Sequence, residues 1–425
     1  MLYASRKINL KHLTNEEKEL LGKLCGLSKE IYNSSLVSIQ QTYQKTNHIY
    51  YWKEVLSGIK ETTSYKELGT RYSAIVKEAD SNFRTYISTI ANGKKYGNRW
   101  LMYDNWEKHT PPTPKKHFYP LICEDFDQRE GKIIVPLSQQ YRKKYKNICL
   151  ELPEDLRDKK INRFIIRPLF SLSEFELILI YTSEENSHDL DFTEAVGIDL
   201  GVNNFATCAT SQGKSFIMDG RYLKAIIQGS NKYLAKINRM KAKQGLKHIT
   251  KKERVSRKRR DKRVNDYLNK IVHYIVKHCI ENKIGNIIYG YGVNFTESPN
   301  LGHKNNQIFS QMPYSRFLQK LKFQCRKHGL KIIKVNECYT SKASFLDGDE
   351  LPDYISGKKY GFSGKRRYRG LYIAKNGRKI NADLNGAANI LSKCKSVNAD
   401  KISILRRSGF AEPLRIRVLK NQTSH

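Results

Sequence analysis

The sequence predicts an α+β chain of several domains: a strand-rich first half interrupted by a long helical block, then a second half in which three strands precede alternating helices and strands. Three observations carry this. Apolar residues fall at helical spacing over most of 14–95, alternate as in strands from about 117 to 182, and mix both patterns from about 193 onward. Clusters of Pro and polar residues at 109–116 and 183–191 separate these regions. The length of 425 residues is enough for two or three cores.

Residues Leu2, Ala4, Ile8 and Leu10 alternate with polar ones and read as a strand. Thr14-Asn-Glu-Glu17 is a capping box, and Leu20, Leu21, Leu24, Leu27 and Ile31 follow at helical spacing. The tyrosines of this block, such as Tyr32, Tyr65 and Tyr72, read mainly as inter-helix contacts. After the 109–116 linker come strands such as Lys132-Ile-Ile-Val-Pro136, Cys149-Leu-Glu-Leu152, Phe164-Ile-Ile-Arg167 and Glu176-Leu-Ile-Leu-Ile-Tyr181. This order predicts a small β-barrel formed by 1–12 and 115–190, with a helical domain at 13–114 inserted in it.

Ala195–Leu200 is an apolar strand, and Asn203–Thr210 and Lys214–Met218 form a hairpin around Ser211-Gln-Gly213. A helix carrying Leu223, Ile226, Ile227, Leu234 and Ile237 follows, then the nearly continuous basic run 251–263 and an amphipathic helix, Val264–Glu281. Strand Ile284–Tyr289, helix Ser315–His328, strand Leu330–Val335 and helix Asp383–Lys393 complete the pattern. Three antiparallel strands followed by helix–strand alternation is the order of an RNase H-like fold, here over 191–396. A Gly- and base-rich loop occupies 347–380, and 397–425 is a basic tail.

Lys and Arg outnumber Asp and Glu by 77 to 41, giving a net charge of +36 and a pI near 9.8. Such an excess repels itself unless a polyanion neutralises it, which makes nucleic acid the expected partner. No long apolar span is present, and Arg6 and Lys7 are followed by no apolar core, so no membrane partner and no signal peptide are expected. The expected location is the cytoplasm, in association with the nucleoid. The eight cysteines are scattered singly, without the paired spacing of a zinc site, so neither structural zinc nor a disulfide is expected.

Two carboxylates stand where a metal ligand is useful. Asp199 closes an apolar strand in Val196-Gly-Ile-Asp-Leu-Gly-Val-Asn203, flanked by glycines that leave the strand end accessible. Asp383 opens the helix of Asn381-Ala-Asp-Leu-Asn-Gly-Ala-Ala-Asn-Ile390, where a carboxylate also serves as a cap. Gly386, Ala387 and Ala388 let that helix pack closely on a sheet, which would bring Asp383 to the edge where Asp199 ends.

The phrases GIDLGVNNFAT and NADLNGAANI resemble the first and third RuvC motifs of TnpB (OrfB) proteins, relatives of the type V CRISPR effectors. The resemblance runs over roughly the whole chain. It implies a wedge-like barrel with recognition helices, then a RuvC nuclease domain that holds two Mg²⁺ ions. It also implies an omega-type guide RNA, a double-stranded DNA target with a short adjacent motif, and a monomer or homodimer. In such nucleases a Glu ends the strand after the basic helices, but here Gly290 stands near that place, in Asn286-Ile-Ile-Tyr-Gly-Tyr-Gly-Val-Asn294. Two carboxylates hold paired hard cations poorly. Either the chain is a nuclease-dead, RNA-guided DNA-binding repressor, or another carboxylate completes the site. Glu337 ends the next strand, and NECYTSKASF resembles the segment of a TnpB branch in which the catalytic Glu has moved. That resemblance implies the set Asp199, Glu337 and Asp383, with Asp349 and Glu350 as further possibilities.

The zinc-binding cysteine pairs of most relatives are missing, with Ala343 and Ser344 near the first pair. Lys365, Arg366, Arg367 and Arg369 are expected to touch nucleic acid without a metal. In a nuclease of this kind Lys251, Lys252, Arg254, Arg257, Lys258, Arg259, Arg260 and Arg263 would grip phosphates of the guide–target hybrid.

Overall fold

The computed structural model describes residues 2–95, 119–169, 174–290, 310–353, 358, 360–368 and 370–418. The linker 109–116 therefore lies outside the described residues. The chain divides into two compact units that meet at Ser183 and Glu184. The mixture of helices and sheets is an α+β arrangement.

In the first unit, strand β1 (Leu2–Asn9) leads into a helix spanning Asn15–Thr46. Thr14 caps this helix through the reciprocal bonds its sequence predicts: the Glu17 amide donates to Thr14 Oγ1 at 3.2 Å, and the Thr14 amide donates to Glu17 Oε2 at 2.7 Å. Shorter helices at Trp52–Ile59 and Thr63–Leu68 and a longer one at Ala74–Lys95 pack beside it. Strands β2 (Leu121–Cys123), β3 (Asp127–Arg129), β4 (Lys132–Ile134), β5 (Cys149–Glu151), β6 (Ile161–Pro168) and β7 (Phe175–Ser183) follow.

Among the described residues these strands form two antiparallel sheets, β1–β7–β6–β2 and β3–β4–β5, where the sequence predicts one barrel. Strands β2 to β5 have only three residues each, too few to carry a continuous ladder from one sheet to the next. The long β1–β7 pairing, from Leu2 opposite Ser183 to Asn9 opposite Glu176, ties the start of the chain to the end of the unit. One apolar core joins the helices and both sheets, with Tyr32, Tyr65 and Tyr72 buried in it. Tyr50 and Tyr51 stay exposed.

The second unit is built on a six-stranded sheet in the order β12–β11–β8–β9–β10–β16. Strands β8 (Asp191–Leu200), β9 (Asn204–Thr210) and β10 (Ser215–Asp219) form an antiparallel meander, while β11 (Ile284–Gly290) and β12 (Lys331–Val335) run parallel to β8. Alternation along β8 divides the core between two faces. Val196 and Ile198 pack with Leu268, Ile271 and Phe317 of the helices Lys251–Glu281 and Tyr314–Lys327. Ala195, with Ile288 of β11, packs with Leu384, Ala387 and Leu391 of the helix Ala382–Ser392.

Three features differ from the sequence reading. The basic run 251–263 and the amphipathic stretch after it are one 31-residue helix, capped by Thr250 and Glu253. The 347–380 stretch is not all loop: β13 (Lys365–Tyr368), β14 (Leu371–Ile373) and β15 (Lys379–Asn381) form a small antiparallel sheet. Part of the basic tail is ordered as the helix Ala399–Ser408 and strand β16 (Leu414–Ile416), which pairs in parallel with β10. Among the described residues no helix is long and apolar enough to cross a membrane.

Candidate catalytic centre and nucleic-acid interface

Asp199 stands at the penultimate position of β8, opposite Thr207 of β9. Two glycines bring the helix Ala382–Ser392 down onto this strand. A Cβ built on Gly197 would lie 2.5 Å from the Ala387 carbonyl oxygen, so any side chain there would push the helix away. A Cβ on Gly386 would lie 3.1 Å from Asp199 Oδ2, so the glycine makes room for the carboxylate.

Asp383 is in the first turn of the same helix and does not cap it. The cap is Asn381, whose side chain accepts from the amides of Asp383 at 3.0 Å and Leu384 at 3.2 Å. The Asp383 carboxylate is thereby left for other partners. Its Oδ2 accepts from Asn204 Nδ2 at 2.7 Å, and its Oδ1 meets Arg366 Nη2 at 3.1 Å.

Glu337 follows β12 and begins a turn in which Thr340 returns two hydrogen bonds to its carbonyl oxygen, from the amide at 3.2 Å and from Oγ1 at 2.9 Å. Gly290 ends the neighbouring strand β11, in register with Val335. A Cβ on Gly290 would lie 3.1 Å from Glu337 Cβ and 3.2 Å from Glu337 Oε2. The Glu337 side chain thus borders the space that a side chain at position 290 would enter.

The turn carrying Glu337 is fastened to the helix carrying Asp383 by two asparagines. Asn385 Nδ2 donates to the Ala343 carbonyl oxygen at 2.8 Å, and its Oδ1 accepts from the Phe345 amide at 3.0 Å. Asn389 Nδ2 donates to the carbonyl oxygens of Thr340 at 2.9 Å and Ala343 at 2.8 Å. Asn381, Asn385 and Asn389 are spaced four apart, so they share one helix face. That spacing is the signal by which sequence reading could have found them. Ala343 and Ser344, near the place of the first cysteine pair in relatives, are fully buried here.

Electrostatics join the three carboxylates. Burial pushes the Asp199 carboxyl well above the usual carboxylate range, and the charges of Asp383 and Glu337 push it further, with Arg366 opposing. A cluster of three carboxyl groups opposed, among the described residues, by the Arg366 guanidinium is chemistry that suits a hard divalent cation. Among the described residues no three His, Cys, Asp or Glu side chains already form a metal-holding group. Arg366, read from the sequence as a nucleic-acid contact, lies at this cluster through its pairing with Asp383.

Lys251, Lys252, Arg254, Arg257, Lys258, Arg259, Arg260 and Arg263 all lie on the 31-residue helix. Arg260 pairs with Asp261 at 3.0 Å, and Arg263 reaches the Tyr222 hydroxyl at 3.3 Å. Lys365 and Arg367 are exposed on β13, and Arg369 lies outside the described residues. Of the further possibilities, Asp349 instead braces the segment before β13, accepting from the Ser344 amide at 2.8 Å and the Ser363 amide at 3.0 Å. Glu350 is exposed.

Residues 179–295 match the OrfB_IS605 family, described as "Probable transposase", and residues 314–390 match the Cas12f1-like TNB domain. The TnpB-like protein ORF457 of Acidianus two-tailed virus is 20% identical over 445 residues, covering 94% of this chain and 89% of the viral one. The chain also resembles the protein of a Cas12f1–sgRNA–target DNA complex, with a TM-score of 0.60 at 17% identity over 89% of this chain and 83% of that one.

Proposed function

From a chain that belongs to the TnpB family, relatives of the type V effectors, we propose an RNA-guided DNA endonuclease whose catalytic carboxylates are Asp199, Glu337 and Asp383. The observation that carries this reading is the pairing of Gly290 with Glu337. The carboxylate that a RuvC site needs beside β11 is supplied from the end of β12, next to the space at position 290. The strand order β10–β9–β8–β11–β12 is that of an RNase H-like domain, and this supports the assignment.

Asp199, Glu337 and Asp383 would hold Mg²⁺, two ions in the full site. When bound, these ions would lower the pKa of the attacking water and neutralise charge on the leaving 3′ oxygen. The protein's own contribution is placement. Gly197 and Gly386 let the helix of Asp383 approach β8, and Asn204 holds one oxygen of Asp383. Asn385 and Asn389 fix the Glu337 turn to that helix. Arg366 lies where it can neutralise Asp383 until a cation replaces it. No covalent nucleophile is needed, and hydrolysis would leave a 5′ phosphate.

A guide RNA of the omega type would supply sequence specificity, with a short motif beside the DNA target read by the first unit. The basic helix and Lys365 and Arg367 would hold the phosphates. The basic tail, by contrast, contributes to the sheet through β16. One observation favours a second reading, an RNA-guided, nuclease-dead DNA-binding repressor: the glycine at position 290, where β11 ends without a carboxylate.

The test is to purify the full chain with its cellular RNA, sequence that RNA, and incubate the complex with a matching plasmid and Mg²⁺. Cleavage by wild type and none by Glu337→Ala supports the endonuclease. Guide-dependent binding without cleavage by either protein transfers the assignment to the repressor. Recovery of no discrete RNA refutes both.

A further inference from the structure

The helix Arg221–Lys243 and the first turns of the helix Lys251–Glu281 stand side by side, yet between them lies an open groove of about 790 Å³. Each wall is a stripe at helical spacing. One is Tyr222, Ala225, Gly229, Ser230 and Tyr233, and the other is Lys252, Val255, Ser256, Arg259 and Arg263. The short side chains of Ala225, Gly229, Ser230 and Ser256 leave space between the two helices. A Cβ on Gly229 would meet nothing within 4 Å. An ion pair between Lys241 and Glu253, at 3.0 Å, joins the two helices.

Three features of this groove exceed what phosphate binding needs. Part of the lining is apolar, with Ala225, Ile226 and Val255. Tyr233 is 48% exposed on the wall that faces the arginines, and Tyr222 is already engaged by the Arg263 guanidinium at 5.6 Å. Ser230 Oγ, on the same wall, is buried without a hydrogen-bond partner. Arg257 and Lys258 of the same basic run do not line the groove. Aromatic, apolar and basic lining residues together suit a base with its phosphate. RNA is the strand that follows from the proposed function, in which a guide RNA is the resident polyanion.

We propose that this groove is a seat for an unpaired nucleotide of single-stranded RNA, its base stacked at Tyr233 beside the small side chains and its phosphate held by Arg259. This deepens the reading of the 251–263 run as a nucleic-acid interface and rests on it, but it does not depend on cleavage.

The test uses the full chain stripped of RNA by high salt. The probe is a short single-stranded RNA of mixed sequence carrying one 2-aminopurine, beside the same sequence as DNA and as RNA duplex. Gly229→Leu fills the groove and leaves every charge in place. It should weaken binding of the single-stranded RNA by about tenfold and abolish the 2-aminopurine quench, while duplex binding and its salt dependence stay within about twofold. Arg259→Gln should instead flatten the salt dependence for single strand and duplex alike, by about one unit of slope. Tyr233→Ala should weaken single-strand binding and Tyr233→Phe restore it, which separates stacking from misfolding. Unchanged single-strand binding by Gly229→Leu, or an equal loss on duplex RNA, overturns the proposal. Equally tight and equally quenched DNA overturns the choice of RNA. If no discrete cellular RNA copurifies but these binding results hold, the groove stands and the RNA-guided nuclease reading falls.

Discussion

Gly290 and Glu337 compete for one volume: a single methyl group on Gly290 would lie 3.2 Å from Glu337 Oε2 and 2.8 Å from Ile390 Cδ1. The side-chain end of Ile390 can yield, but the carboxylate must then shift with it. Gly290→Ala is therefore expected to fold and to lose activity, with plasmid cleavage falling by about tenfold or more through misplacement of the carboxylate. Thermal unfolding should change by no more than about 1–2 kcal/mol. Cleavage at the wild-type rate would show that Glu337 does not need its position.

A second prediction concerns stability without metal. Burial and its anionic neighbours raise the Asp199 carboxyl in the folded state. Raised in the fold, this group costs stability as the pH rises from the ordinary carboxylate range toward its folded value, because the unfolded chain releases the proton first. Asp199→Asn should raise the melting temperature at neutral pH by about 2–4 °C in the absence of Mg²⁺. Added Mg²⁺ should stabilise wild type more than this variant. Scanning calorimetry with and without Mg²⁺ reads both effects.

The third lies at the end of the sheet. Asp219 is buried, held by Arg221 Nη2 at 2.6 Å and by Arg417 Nε at 2.8 Å from beyond β16. Burial alone would raise its carboxyl, but the two guanidiniums overcome that and hold it down to about 2. A depressed value stabilises the fold above the unfolded pKa of about 3.9, and the contribution is lost as the pH falls toward 2. Asp219→Ala should cost about 2–3 kcal/mol at neutral pH, less than a fully buried pair because both arginines stay hydrated. It should also flatten acid unfolding between about pH 4 and 2. Denaturant melts across that range check the sign.

A fourth prediction tests the close approach of helix and strand. Gly197→Ala places a Cβ 2.5 Å from the backbone oxygen of Ala387, an atom that moves only with its helix. The expected cost is about 2–3 kcal/mol, together with loss of cleavage because Asp383 rides on that helix. Urea unfolding beside a plasmid assay measures both.

What the sequence showed of this site follows from how local each signal is. Asp199 and Asp383 were legible because each sits in one contiguous phrase whose glycines and alanines encode close packing. Glu337 was legible as a strand end before a recognisable segment. The pairing of Arg366 with Asp383 was not, because it depends on how β13 folds back toward the helix. The groove beside Gly229 escaped notice because an opening between two helices is defined by absent side chains on both. Strand β16, three residues long, is too short to show a period, and its place in the sheet is set by β10 and Arg417. In the first unit the alternation of β6 and β7 was plain, but the three-residue strands β2 to β5 before them were too short to reveal that the sheets stay separate.

The most direct measurement moves the carboxylate back. Guide-loaded wild type, Glu337→Gly, and Glu337→Gly combined with Gly290→Glu are compared in plasmid cleavage with Mg²⁺. The account predicts cleavage by wild type, a loss of about a thousandfold in Glu337→Gly, and recovery of at least about tenfold in the double variant. Undiminished cleavage by Glu337→Gly, or guide-dependent binding with no cleavage by any of the three, would contradict it.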